Sequence, residues 1–258
     1  MLNFYKFSHF QNHDSLLHAV TTKSSHFPHL FSLALHTGEK SQEILKNREI
    51  LSKNFSHDSP LHYIVANQTH SDHIKIITHE ETKGWLGLED AISDCDALIT
   101  NLPHTVLTIL TADCVPILLY DKVNHVIAAV HAGWKGTKAH IVAKTIETMI
   151  EHYACQAKDI MVGIAPSIGR CCYEVDYDVA KHFFHIANGY TKRQEKYMLD
   201  LPHINQQQLL NVGILEKNIE MCHICTACEV EQFFSYRKEQ GCSGRFMSMI
   251  GLKEKNAN

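Results

Sequence analysis

The segment Thr111-Ala112-Asp113-Cys114 is followed one hairpin later by His131-Ala132-Gly133-Trp134-Lys135-Gly136, which puts a thiol and an imidazole at the ends of neighbouring strands. Such a pair can ligate a transition metal, or it can act as nucleophile and base. Gln68-Thr69-His70 adds a second imidazole, and Asp94-Cys95-Asp96 places two carboxylates just before the apolar run Ala97-Leu98-Ile99-Thr100. Two His and one Cys leave a fourth tetrahedral position open, the pattern of a catalytic rather than a structural zinc. A single Cys beside apolar strands is by itself an ordinary core residue, so the weight rests on the three groups together.

The elements that must position these groups follow from hydrophobic patterning. Residues 106–111 and 115–120 are β-branched and aliphatic runs, expected as two strands or one bulged strand, and 121–124 have turn composition. Residues 126–130 form a third run ending at His131, so Cys114 and His131 are expected to face each other across a hairpin. Thr137 is expected to cap a helix over about 138–153. His131 then sits where a strand hands over to a helix, and such junctions aim side chains and helix-start amides into a crevice.

Helical spacing recurs over 42–54 and 178–187, and Asn205 is expected to cap a helix over 206–217 that Gly213 interrupts. Strand-like pieces lie at 73–78, 160–164, 219–222 and 246–250. Strands and helices intermix, which predicts an α+β (α/β mixed) fold.

Length and charge bound the function. At 258 residues with no Pro/Gly/Ser-rich linker, repeat or charge block, the chain is expected to form one domain over 1–258, with a frayed polar C-terminus from Lys253 to Asn258. A net charge of -4 without a basic stripe argues against nucleic-acid and membrane-surface partners, which leaves small molecules. No apolar run is long enough to span a bilayer and the first residues do not read as a signal peptide, so a cytoplasmic protein is expected. Nine Cys is an odd number for a disulfide framework and fits reduced thiols. Twenty His make His-counting a poor guide to the site; His9, His13, His26, His29 and His203 read as surface residues.

Cys222-His223-Ile224-Cys225-Thr226-Ala227-Cys228 is a rival constellation. Its two overlapping Cys-x-x-Cys steps, with Cys242 further on, could ligate zinc or an iron–sulfur cluster. Cys171-Cys172 is a weaker signal, because adjacent residues on a strand point to opposite faces and do not readily share one ion.

Six motifs in order resemble the laccase-domain, YfiH-like family, named both for multicopper polyphenol oxidase and for purine nucleoside phosphorylase. They are Gln68-Thr69-His70, Asp96-Ala97-Leu98-Ile99-Thr100, Thr111 to Pro116, His131 to Gly136, Gly163-Ile164-Ala165-Pro166-Ser167-Ile168-Gly169, and Phe234-Ser235-Tyr236-Arg237 with Ser243-Gly244-Arg245. The chain departs from the family pattern at Ser71, where Gly is usual, and at Ser32 and Ala34, where Asn and Gly are usual. Those departures bear on the substrate pocket rather than on the metal set. The family also carries a Cys-Thr pair where this chain has Cys225-Thr226, commonly without flanking thiols, which makes Cys222 and Cys228 local additions.

The resemblance implies packed β-sheets flanked by helices, and metal ligands at His70, Cys114 and His131. It implies a zinc enzyme that cleaves adenosine, inosine and methylthioadenosine with phosphate and also deaminates adenosine; copper is the alternative metal. Cys114, His131 and Asp113 are then the candidate catalytic residues, Asp113 being either a proton shuttle or a residue that orients a ligand. Lys135, Arg237 and Arg245 are candidate anion partners for phosphate. The zinc-deaminase signature H-x-E with P-C-x-x-C is absent, so deamination would need a different constellation. A cysteine amidohydrolase, with Cys114 as nucleophile and His131 as base and cell-wall precursor editing as one form, is the second reading. Copper-dependent polyphenol oxidation is the third, although one Cys and two His do not supply a multicopper centre.

Overall fold

The apolar runs sort into two stacked sheets with apolar residues on both faces. The structure, a computed structural model, describes residues 2–55, 60–241 and 244–254. Cys242, Ser243 and positions 255–258 of the expected frayed C-terminus therefore lie outside the described residues. Elements are numbered in chain order. One sheet has five strands in the order β1 (Phe4–Tyr5), β2 (Leu16–Thr21), β14 (Phe246–Leu252), β6 (Thr105–Thr111) and β3 (His62–Val65). The other has six, in the order β13 (Ile219–Met221), β9 (Ile160–Ile164), β7 (Val115–Asp121), β8 (Val126–Ala132), β5 (Ala97–Thr100) and β4 (Ile74–Ile76). A small third sheet joins β10 (Glu174–Val175), β12 (Lys196–Leu199) and β11 (Tyr190–Arg193).

Between the two large sheets lies a core in which Leu107, Ile109, Phe246 and Ile250 meet Leu118, Tyr120, Ile127 and Ala129, joined by Phe10 of α1 (Ser8–Gln11). The outer face of the six-stranded sheet packs Val115, Ile117, Ala128 and Val130 against α4 (Ile141–Tyr153) and α6 (Leu201–Asn211). The outer face of the five-stranded sheet packs Leu17, Tyr63, Val106 and Met249 with Leu51 of α2 (Ser41–Phe55). The order is helix, sheet, sheet, helices, which is the mixed, layered architecture expected from the sequence. Burial on both faces explains why β6, β7 and β8 read as continuous apolar runs rather than alternating ones. Among the described residues no helix is long and apolar enough to cross a membrane.

Several local expectations are corrected. Thr137 is no N-cap: it lies inside α3 (Trp134–Lys138), whose N-cap is Gly133, and its buried hydroxyl accepts from Asn205 Nδ2 at 3.0 Å. The expected long helix is broken at His140, which takes φ 61° and starts α4. Asp200, not Asn205, caps α6, accepting from the His203 amide at 3.2 Å, and Asn205 sits buried within the helix. The segment expected as a helix over 178–187 is only α5 (Tyr177–Ala180) and a 3-10 turn over Lys181–Phe183. The capping errors share a cause: buried polar side chains bond across elements, and local capping preference cannot see those partners.

Candidate functional site

Strands β6 and β7 belong to different sheets, so the chain crosses from one to the other through Ala112-Asp113-Cys114. Asp113 makes the crossing with φ 88°, a backbone region unusual for a non-glycine residue. Cys114 therefore stands at the start of β7 beside the end of β8, where Val115 pairs with Ala132 and Pro116 with His131. His70 comes from a loop that Gln68 pins to β6: its amide donates to the Leu110 carbonyl and accepts from the Leu110 amide, both at 2.9 Å.

The donor atoms of His70, Cys114 and His131 lie within 4.8 Å of one another, and Cys114 Sγ is 3.7 Å from His70 Nε2. Behind them Asp96 accepts from His131 Nδ1 at 2.6 Å and from the amides of Thr69, His70 and Ser71 at 3.1, 3.1 and 2.7 Å. The Ser71 hydroxyl also donates to Asp96 at 2.7 Å. Asp96 is fully buried, and His131 is 3% exposed. Burial alone would raise the Asp96 carboxyl, but the bonds from His131 and Ser71 prevail and hold it well below the usual carboxylate range. Burial likewise opposes charge on Cys114 and His131. Mutual attraction and the Asp96 bond outweigh it, lowering the thiol and raising the imidazole.

Gly133 completes the cluster by leaving room. A Cβ there would come within 2.9 Å of the His70 ring and 3.2 Å of Cys114 Sγ. The glycine of the His-Ala-Gly-Trp segment is thus required by close approach, since its φ of -70° is open to any residue.

Asp113 has both oxygens engaged: Oδ1 accepts from the Thr226 hydroxyl and Oδ2 from the Arg237 amide, each at 2.7 Å. The Arg237 guanidinium donates to the Glu174 carbonyl at 2.7 Å and sits 5.3 Å over the Tyr173 ring. Arg245 is half-buried beside the Tyr236 ring and feels the charges of Cys114 and Asp113. Its amide donates to the Ser32 hydroxyl at 3.2 Å, so the Ser32 departure helps to place this arginine's backbone. Lys135 lies elsewhere, in a cleft of about 390 Å³ lined by His70, Ser71, Asp72, Trp134, Lys138 and Ala139. The predicted cations therefore do not share one pocket wall: Lys135 lines the cleft with His70, whereas Arg237 is bonded to Asp113 through its amide.

Sequence reasoning placed Asp96 beside a strand without giving it the His131 bond. It missed Tyr173 and Lys138, which no motif spacing marks. The reading of Cys171-Cys172 is corrected: the two occupy a turn rather than a strand, and their sulfurs gather with those of Cys225 and Cys228 within 4.8 Å. Cys222 is not part of that group.

Fold and site together describe a layered α+β protein with a candidate two-His, one-Cys centre at the seam between its sheets. Residues 18–253 match the family model described as multi-copper polyphenol oxidoreductase laccase. The chain is 33% identical over 256 residues to purine nucleoside phosphorylase YlmD of Bacillus subtilis, covering 95% of this chain and 91% of that protein. It is 31% identical over 261 residues to a purine nucleoside phosphorylase of Bacteroides thetaiotaomicron, covering 97% and 95%. The crystal structure of YlmD from Geobacillus stearothermophilus superposes with a TM-score of 0.89 at 27% identity, over 96% of this chain and 94% of that one. The Bacillus licheniformis hypothetical protein YfiH gives 0.87 at 32% identity, over 94% of each chain. The chain belongs to this laccase-domain family.

Proposed function

We propose that the protein is a zinc-dependent purine nucleoside phosphorylase acting on adenosine, inosine and S-methyl-5′-thioadenosine, with adenosine deamination as a side activity, and that it works in the cytoplasm. The observation that carries this reading is the convergence of His70, Cys114 and His131 with Asp96 behind His131. The donor set suits zinc: two imidazoles and one thiolate ligate it well, and the carboxylate bonded to His131 is the usual outer partner of a zinc-bound histidine. His131 would bind through Nε2, because Nδ1 is committed to Asp96. A multicopper centre would need more ligands than this cluster has. Zinc held by His70, Cys114 and His131 would supply an electrophilic centre for an oxygen of substrate or phosphate.

The chain's own residues supply the rest. In phosphorolysis a phosphate oxygen forms a bond to the ribosyl C1′ as the bond to the purine nitrogen breaks, and the base leaves with the electron pair and gains a proton. Lys135 and Lys138 beside His70, and Arg245, which feels the charge of Cys114, favour a phosphate anion at the centre, and Arg237, held by Asp113, is a further candidate. Asp113, with both oxygens accepting, acts as a positioning residue that holds Thr226 and Arg237. That arrangement favours orientation over proton transfer. In deamination water adds at the purine carbon that bears the amino group, and ammonia departs.

A second reading has its own observation. Cys114, His131 and Asp96 form a chain of thiol, imidazole and carboxylate, as a cysteine amidohydrolase would require. It gives His70 no necessary role. The variants His70→Ala, Cys114→Ala and His131→Ala separate the two readings. Each should lose the zinc held at this cluster and nucleoside cleavage while keeping the fold, and Cys114→Ala with as much zinc as wild type would remove the assignment.

A further inference from the structure

We propose that Cys171, Cys172, Cys225 and Cys228 form a second, closed zinc site, a tetrathiolate that staples two loops beside the catalytic cluster. The inference is independent of the reaction assigned above. The four sulfurs lie within 4.8 Å of one another, and Cys228 Sγ is 3.6 Å from Cys171 Sγ and 3.5 Å from Cys172 Sγ. Zinc–sulfur bonds of about 2.3 Å place tetrahedral sulfurs about 3.8 Å apart, so the gathered thiols are close to the edges of such a polyhedron. All four are free thiols in the structure, and the Cys228 sulfur stands well beyond the roughly 2.05 Å of a disulfide from both Cys171 and Cys172.

Local backbone explains how the four reach one point. The amides of Cys172 and Tyr173 both donate to the Gly169 carbonyl at 3.0 Å, which makes a turn from which adjacent cysteines can project to one side. Across from it the amides of Cys228 and Glu229 donate to the Cys225 carbonyl at 3.1 and 2.9 Å, closing the Cys-x-x-Cys turn. The Gly169 amide donates to Cys225 Sγ at 3.3 Å, a bond that favours a thiolate there. A Cβ on Gly169 would meet Cys225 Cβ at 3.3 Å and Cys171 Sγ at 3.5 Å, so the close approach of the two loops uses this glycine.

Four thiolates and no open position define a structural site rather than a catalytic one. Binding releases the four thiol protons and leaves a net charge of about -2 on the zinc and its ligands. The staple joins segments 57 residues apart and holds one wall of the cluster. Thr226, inside the Cys-x-x-Cys turn, donates to Asp113; Ile168, just before Gly169, donates its amide to the Asp113 carbonyl at 2.9 Å; and Tyr173 follows Cys172 under Arg237.

The test is zinc per chain and its ligand shell in full-length protein prepared with zinc. Wild type should hold two equivalents, Cys114→Ala one, and Cys171→Ser with Cys228→Ser one. X-ray absorption on Cys114→Ala should then show four sulfurs at about 2.3 Å and no nitrogen. The double serine variant should melt at a lower temperature than wild type while keeping the zinc that Cys114→Ala loses. The Cys114→Ala arm decides the matter even if the double variant does not fold. Absence of metal in Cys114→Ala, iron or a nitrogen ligand in its shell, or a disulfide among these four cysteines would overturn the proposal.

Discussion

Asp96 Oδ1 accepts the Nδ1 proton of His131 at 2.6 Å, and the same carboxylate gathers three successive amides from Thr69 to Ser71. One buried acid therefore fixes the ring of one candidate ligand and the loop that carries the other. Asp96→Asn keeps the volume but turns one acceptor into a donor facing these N–H groups. Zinc affinity should fall by about 10- to 100-fold, read by competition with a chelator, and thermal stability should drop with it. Unchanged affinity would mean that His131 is held by other contacts.

Gly133→Ala tests the space in the cluster. The added methyl meets the His70 ring at 2.9 Å and Cys114 Sγ at 3.2 Å on a backbone that tolerates alanine. Circular dichroism should remain that of wild type while zinc affinity falls by about tenfold. A variant with full affinity would show that the two ligands need not lie where they do.

Asp113→Asn separates positioning from proton transfer. The asparagine amide would face either the Thr226 hydroxyl or the Arg237 N–H, and the latter is a donor against a donor. A loss of about 1–3 kcal/mol in stability is expected from denaturant unfolding. Bound zinc should stay at the wild-type level, and the limbs of the pH–rate profile should not move. Loss of one limb would make Asp113 the proton carrier.

His18 predicts an acid-sensitive core. It is 5% exposed and accepts from the Phe7 amide at 3.0 Å, and burial, with Lys6 contributing less, pushes its pKa from 6.5 down to about 4. The unfolded chain binds this proton first as pH falls, so this contribution is complete above about 6.5 and declines towards about 4. The loss should reach about 3 kcal/mol in urea unfolding free energy. His18→Gln, which can still accept from Phe7, should flatten the slope over that window, and an unchanged slope would assign it to other groups.

The legible part of this protein was the part encoded locally. Residues 106–111, 115–120 and 126–130 announced strands because burial on both faces makes them continuously apolar, and α2 showed its helical period. The crossing between sheets at Asp113 was not legible, because one bulged strand and two strands in separate sheets look alike in composition. Strand β2 was missed although all six of its residues are buried, since His18 interrupts its apolar run. Motif order brought His70, Cys114 and His131 to notice, whereas the Asp96 bond and the gathering of four cysteines depend on contacts between distant segments. The strand geometry assumed for Cys171-Cys172 failed because a turn occupies that position.

The central claim is tested most directly by stripping the protein of metal, reloading it with one metal at a time, and following adenosine with and without phosphate. Zinc-loaded protein should release adenine and ribose 1-phosphate only when phosphate is present, and form inosine more slowly whether or not it is. The stripped form should do neither. Turnover by the metal-free protein, or no turnover of adenosine, inosine or methylthioadenosine by the zinc-loaded one, would contradict the account.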